Sequence, residues 1–148
     1  MTKPNSFLPV LFIVIIMSSC GGILANNPPY TITTPVCSFA NNVYDFTFAG
    51  IVFNFLNKST KPISSLTGSF RLYDGKTEAN PFHGSNAFEI TRIININVDE
   101  NRVIVLSLDP FIHVVPEVPY IVDFFYISKI KYTDGTVWED KFGVYAVQ

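Results

Sequence analysis

From Tyr30 onward the chain alternates apolar and polar positions in short runs, and turn-forming residues separate the runs. The clearest is Ile63–Tyr73, where Leu66, Phe70 and Leu72 alternate with Thr67, Ser69 and Arg71. Successive side chains of a strand point to opposite faces, so this run predicts one dry face and one wet face. Phe88–Val98 repeats the pattern, with Phe88, Ile90, Ile94, Ile96 and Val98 set against Glu89, Thr91, Asn95 and Asn97. The Asp99-Glu100-Asn101 turn leads into a further strand, Arg102–Leu108. Tyr44–Leu56 changes phase. Tyr44, Phe46 and Phe48 share one face, Ile51, Phe53 and Phe55 the other, and the switch falls at Ala49-Gly50, where glycine permits a bulge or a change of sheet. Tyr30–Cys37 is Thr-rich and broken by Pro35, which suits an edge strand.

The last two runs fix a register. Tyr120–Tyr132 places Val122, Phe124, Tyr126, Ile130 and Tyr132 on one side, and Thr136–Val147 places Trp138, Phe142, Val144 and Ala146 on one side. A two-residue Asp134-Gly135 loop would set Ile130 against Glu139 and Lys131 against Trp138. A three-residue loop, Thr133-Asp134-Gly135 with Gly135 at positive φ, pairs Ile130 with Trp138, Tyr126 with Phe142 and Lys129 with Glu139. A one-residue slip turns every side chain to the other face, so the apolar pattern selects the three-residue loop, a type I turn with a glycine bulge.

Between the runs lie the polar turn Asn57–Pro62, the irregular stretch Lys76–Asn86 and the Pro-punctuated apolar connection Phe111–Pro119. No segment has the period of a helix of three turns or more. The expected fold is all-β, a single immunoglobulin-like antiparallel β-sandwich of about seven or eight strands, with a small closed barrel as the alternative. Trp138 is the expected core aromatic, and the inter-sheet cysteine pair of a true immunoglobulin domain is absent.

Ahead of this body stands an unbroken apolar run, Phe7–Met17, preceded by Lys3 and followed by Ser18-Ser19-Cys20-Gly21-Gly22. It falls within the roughly 7–15 residues of a secretory signal core and short of the ~20 needed to span a bilayer. The small residues before Cys20 resemble the lipobox of bacterial lipoproteins, with Met17 in place of the usual leucine. The resemblance implies cleavage before Cys20, a thioether to diacylglycerol on its thiol and acylation of the new amino terminus. It divides the chain into a signal peptide (1–19), a tether (20–29) rich in Gly, Asn and Pro, and a β-sandwich domain (30–148). An ordinary signal peptide cut after Ala25 is the alternative.

Composition narrows the reading. Charged residues are 15% of the chain, below the usual ~25%, and aromatics another 15%, so the roughly 130 residues after the signal can build a real core. A net charge of −2 with no Lys/Arg cluster gives no electrostatic footprint for nucleic acid. Of the two cysteines, lipid on Cys20 leaves Cys37 without a partner in the chain, and Cys37 reads as a small buried hydrophobe.

No constellation for catalysis emerges. The two histidines, His83 and His113, are not at metal-ligand spacing, and His113 between Ile112 and Val114 reads as a core or interface residue. No nucleophile elbow, phosphate-cradling glycine loop or calcium-loop motif is present, so neither an enzyme nor a metal or cofactor site is expected. Asn57-Lys58-Ser59 fits a glycosylation sequon, incidental behind a bacterial export signal. Gly50-Ile-Val-Phe-Asn54, the turn at Asn57–Lys61 and Phe70-Arg71-Leu72-Tyr73-Asp74-Gly75 resemble the FxLYD type of bacterial and archaeal envelope domain. That resemblance covers about residues 44–75. It implies a small β-sandwich, often behind a lipoprotein signal, with Phe70 and Leu72 inward and Asp74-Gly75 turning, and it carries no functional residues across.

The combined expectation is a non-catalytic lipoprotein of the bacterial cell envelope, lipid-anchored and facing the periplasm or the exterior. It would act as a structural or protein-binding module toward an envelope partner. Phe82 and His83 are the candidate contact residues, because loops carry binding and rings contribute area at little entropic cost. The competing role for Phe82 is a plug of the sandwich end. The alternative function is a carbohydrate- or small-ligand-binding module, permitted by seven tyrosines but weakened by their inward strand phase.

Overall fold

The computed structural model of the chain describes residues 27–39 and 43–147. Eight strands, each antiparallel to its neighbours, form two sheets. In the first, β3 (Ala49–Asn57) is central and β6 (Asn101–Ser107) runs along one side. The other side of β3 is shared by β1 (Tyr30–Ile32), opposite its C-terminal half, and β2 (Val36–Phe39), opposite its N-terminal half. Pro35, which has no N–H to give a ladder, falls in the break between them. Thr33 spans the break, its amide donating to the Asn54 carbonyl (3.1 Å) and its hydroxyl accepting from the Asn54 amide (3.0 Å). The second sheet has the order β5 (Ala87–Ile96), β4 (Ile63–Tyr73), β7 (Ile121–Tyr132), β8 (Val137–Glu139).

The two sheets enclose one apolar core. Ile51, Phe53, Phe55, Ile104 and Leu106 come from the first sheet, and Leu66, Phe70, Leu72, Phe125, Ile127 and Ile130 from the second. Each such side chain contributes about 1.5–3 kcal/mol on full burial. The architecture is an all-β sandwich with separate sheets, not a closed barrel. Phe70 and Leu72 point inward, and Asp74 begins the turn after β4.

The final hairpin adopts the three-residue register. Ile130 lies opposite Trp138 and Lys129 opposite Glu139, the Tyr132 amide donates to the Thr136 carbonyl (2.9 Å), and Gly135 has φ +83°. The ladder then stops at Glu139 rather than running to Val147, and the expected Tyr126–Phe142 pair does not form. The cause is Asp140. Its carboxylate is buried and accepts the amides of Phe142 (3.2 Å), Val144 (3.0 Å) and Tyr145 (3.1 Å), which curls the chain away from β7. Phe142 is left 83% exposed, and pairing resumes only where Val147 meets Phe125.

β7 departs from simple alternation twice. Lys129 faces Thr67 and Ile127 faces Gly68, so Ser128 is an extra residue; Tyr126 faces Ser69 and Asp123 faces Arg71, so another is inserted around Phe124. Each bulge shifts the phase by one. The inward set is therefore Val122, Phe125, Ile127, Ile130 and Tyr132, while Phe124 and Tyr126 face outward. Phe124 sits at φ +49°, a state that costs a bulky residue about 1–3 kcal/mol. Burying Phe125 and Ile127 completely offsets a cost of that size.

Three smaller expectations change. Tyr44–Phe48 is not part of a strand: Asp109 accepts the Thr47 and Phe48 amides at 2.6 and 2.8 Å, and the Phe46 ring lies over Gly50 where a Cβ would collide with it. Trp138 is half-buried and meets Tyr30 edge-on at 5.6 Å; the wholly buried rings are Phe55, Phe70 and Phe125. Val98 lies in the β5–β6 turn and is exposed.

Candidate functional site

The strand directions give the sandwich two unlike ends. Residues 58–62, 97–100 and 133–136 close one end with tight turns, and residues 43–48, 74–86 and 108–120 make the other with long connections. The chain enters at the tight end, where the Lys58 amide donates to the Pro29 carbonyl (2.9 Å).

Polar groups tie the tight end together. Asn57 is fully buried; its amide nitrogen donates to the carbonyls of Lys61 (2.9 Å) and Asn97 (3.0 Å), and its side-chain oxygen accepts the Ser59 amide (3.0 Å) and hydroxyl (2.6 Å). The folded chain therefore cannot offer this sequon for glycosylation. Lys61 pairs with Asp134 at 2.7 Å and donates to Thr136 at 2.9 Å. Hydrogen bonds from Lys61 and Thr136 hold the Asp134 carboxyl down, from its ordinary 3.8 to about 2.

The loop end is built around rings. Phe82 is half-buried, edge-on to Phe88 (4.9 Å) and tilted against Tyr120 (5.6 Å), and Phe111 meets Phe88 at 5.0 Å. Asn80 brackets this tip, accepting the Phe82 amide (2.9 Å) and donating to the Gly84 carbonyl (2.7 Å). Asp74 accepts the amides of Lys76 and Thr77, which lower its pKa, and Lys76 reaches Glu117 at 2.7 Å to join the two long loops.

The structure thus separates the two candidate contact residues. Phe82 turns in and caps the core, and His83 stands exposed at the tip. His113 is exposed as well, so it is not a core histidine. Apolar side chains that face solvent at this end include Val43 (80%) and, in the 108–120 connection, Phe111 (45%), Val114 (74%) and Val115. The sequence reading missed the last three because an apolar run between prolines looks the same whether it packs or protrudes. A groove of about 640 Å³ opens between β2 and the start of β7, lined by Pro35, Val36, Cys37, Val118, Tyr120 and Val122 among others, none of them charged. Cys37 forms part of it as a buried free thiol, its pKa raised by burial and so kept from nucleophilic use. Cys20 lies outside the described residues, and among those described no cluster of histidine, cysteine or carboxylates is placed to hold a metal.

The chain matches no protein-family model, no curated protein and no solved structure.

Proposed function

We propose that this chain is a non-catalytic lipoprotein of the bacterial cell envelope, acylated on Cys20 and held to a membrane there, whose sandwich binds a partner protein through its loop end. One observation carries the reading. The chain enters beside the tight, polar end, while Phe111, Val114 and Val115 protrude from the opposite end. Lipid on Cys20 would tether the sandwich by its tight end and leave those side chains at the far end, open to a partner protein. An uncharged groove that takes in Gly75 and Val118–Tyr120 of the long connections offers room for a partner's apolar side chains. The lipobox-like residues and the FxLYD-like pentapeptide support an envelope setting. The alternative, a carbohydrate-binding module, draws on a different face, the outer surface of the four-stranded sheet.

Two measurements test the proposal. Cys20→Ser should lose both cleavage and membrane retention, and unchanged fractionation would overturn the anchor. A photo-crosslinking residue at Val114 should capture a protein in intact envelopes, and one at Thr60, in the tight end, should not. Equal capture at both positions, or none at Val114, would overturn the binding end.

A further inference from the structure

The case against sugar binding in the sequence was that the tyrosines fall on inward strand positions. The bulges of β7 remove that objection for one of them. Tyr126 faces outward on the four-stranded sheet, beside Phe124, which is edge-on to it at 5.6 Å and itself under the Arg71 guanidinium at 5.4 Å. Phe124 reaches this position only through a left-handed backbone state that bulky residues avoid, and such strain gathers where a side chain's placement matters.

Next to Tyr126 the sheet carries a hollow of about 340 Å³, within the size range of small-molecule sites. One wall is Asp140 and Lys141, where the chain begins the curl that the Asp140 carboxylate holds by accepting three amides. Gly143, at φ +68°, lets that curl pass over the rings, since a Cβ there would come within 2.8 Å of Phe124. Across the hollow Ser128 donates to Glu89 at 3.0 Å, and Glu139 lies between Lys129 (3.2 Å) and Lys141 (3.7 Å). Asp140 also lines the hollow, with its carboxylate turned to the three amides it accepts, so three carboxylates against two ammoniums leave a net charge of only −1, the wrong sign to draw an anion and too little to draw a polycation. Each keeps donor or acceptor capacity beyond these contacts, because an ammonium carries three protons and a carboxylate about four lone-pair directions.

We propose that this hollow is a binding site for a neutral saccharide, with Tyr126 as the stacking ring and Glu89, Lys129, Glu139 and Lys141 bonding its hydroxyls. Alternating donors and acceptors beside a half-buried ring, with a net charge of only −1, match a polyhydroxylated uncharged ligand. They do not match a phosphate or a polycation. The site is independent of the loop end and of the anchor.

Calorimetry on the full chain, in a detergent without a sugar headgroup, tests it with neutral β-1,4-linked oligosaccharides of glucose and of N-acetylglucosamine up to about 10 mM. Saturable binding is expected to at least one, weakened about tenfold by Tyr126→Ala and about tenfold by Glu139→Gln. Glu139→Gln alters a partly exposed edge residue, so its effect is read on a folded chain even if Tyr126→Ala unfolds. No saturable binding to any probe overturns the proposal. Binding untouched by Glu139→Gln, or tighter binding of a sulfated oligosaccharide that fades with salt, does so too.

Discussion

The two ends of the sandwich solve the same problem, joining strands across a core, by opposite means. At the tight end the turns are short, and a single buried side chain, Asn57, bonds to residues of the β3–β4 turn and to Asn97 at the end of β5. Every bond it makes is local to that end and directional. At the loop end the connections are long, and Phe82, Phe88, Phe111 and Tyr120 fill the space between them with edge-on and tilted rings. Ring contacts tolerate small shifts that a buried amide cannot, because dispersion is spread over many atoms and a buried hydrogen bond has one geometry. The difference separates a fixed end from an adaptable one, and the adaptable end also carries the exposed Val114 and Val115.

The sharpest way to break this contrast is Asn57→Ala. It removes four hydrogen bonds at a buried position and takes the acceptor from the Ser59 amide, and a loss of about 3–5 kcal/mol in urea unfolding is expected. A loss under about 1 kcal/mol would mean that the hub is replaceable by water and the tight end is not fixed by it. Phe82→Ala comes next, at about 1–3 kcal/mol, since the ring is only half-buried. If stability is unchanged, Phe82 is not the cap of that end.

A smaller effect separates the ends by pH. Asp134 titrates lower in the folded chain than in the unfolded one, so its contribution is complete at neutral pH and is lost as pH falls from about 4 toward 2. Lys61→Met should therefore flatten the fall in urea midpoint between those pH values. An equally steep fall would place the acid sensitivity at the loop end, where Asp74 and Asp109 are also held low, the latter by the Phe48 and Thr47 amides against the opposing effect of burial. The smallest effect belongs to Val114→Ser, expected to move stability by less than about 0.5 kcal/mol in the same assay. A larger loss would show that Val114 packs against the fold and is not free for a partner.

Where alternation is clean, the sequence was a sufficient guide. In Lys129–Tyr132 charged and apolar residues take strict turns, and only one register sets Ile130 against Trp138 and Lys129 against Glu139. Where apolar residues occupy both phases it was not. Val122, Phe124, Phe125, Tyr126 and Ile127 offer two inward sets, and the choice between them is made by inserted residues whose cost and benefit depend on the partner strand β4. The end of β8 failed for another reason, since nothing in the apolar pattern of Thr136–Val147 marks Asp140, whose carboxylate draws three amides around itself. At the loop end the boundaries of the Lys76–Asn86 stretch were legible from its turn residues. Which of Phe82, His83, Phe111 and Val114 turn outward was not, because that depends on which rings meet across loops far apart in sequence.

Under the proposed anchor on Cys20, the divided edge strand takes on a mechanical meaning. A pull transmitted through Pro29 first reaches three residue pairs of β1 against β3, with the Tyr30 ring seated between Phe55 and Trp138. Only beyond the Pro35 break does it reach the four pairs of β2. Load is thus met in two steps, and the first can yield, lengthening the tether by a few residues, before the strands that frame the core bear any of it.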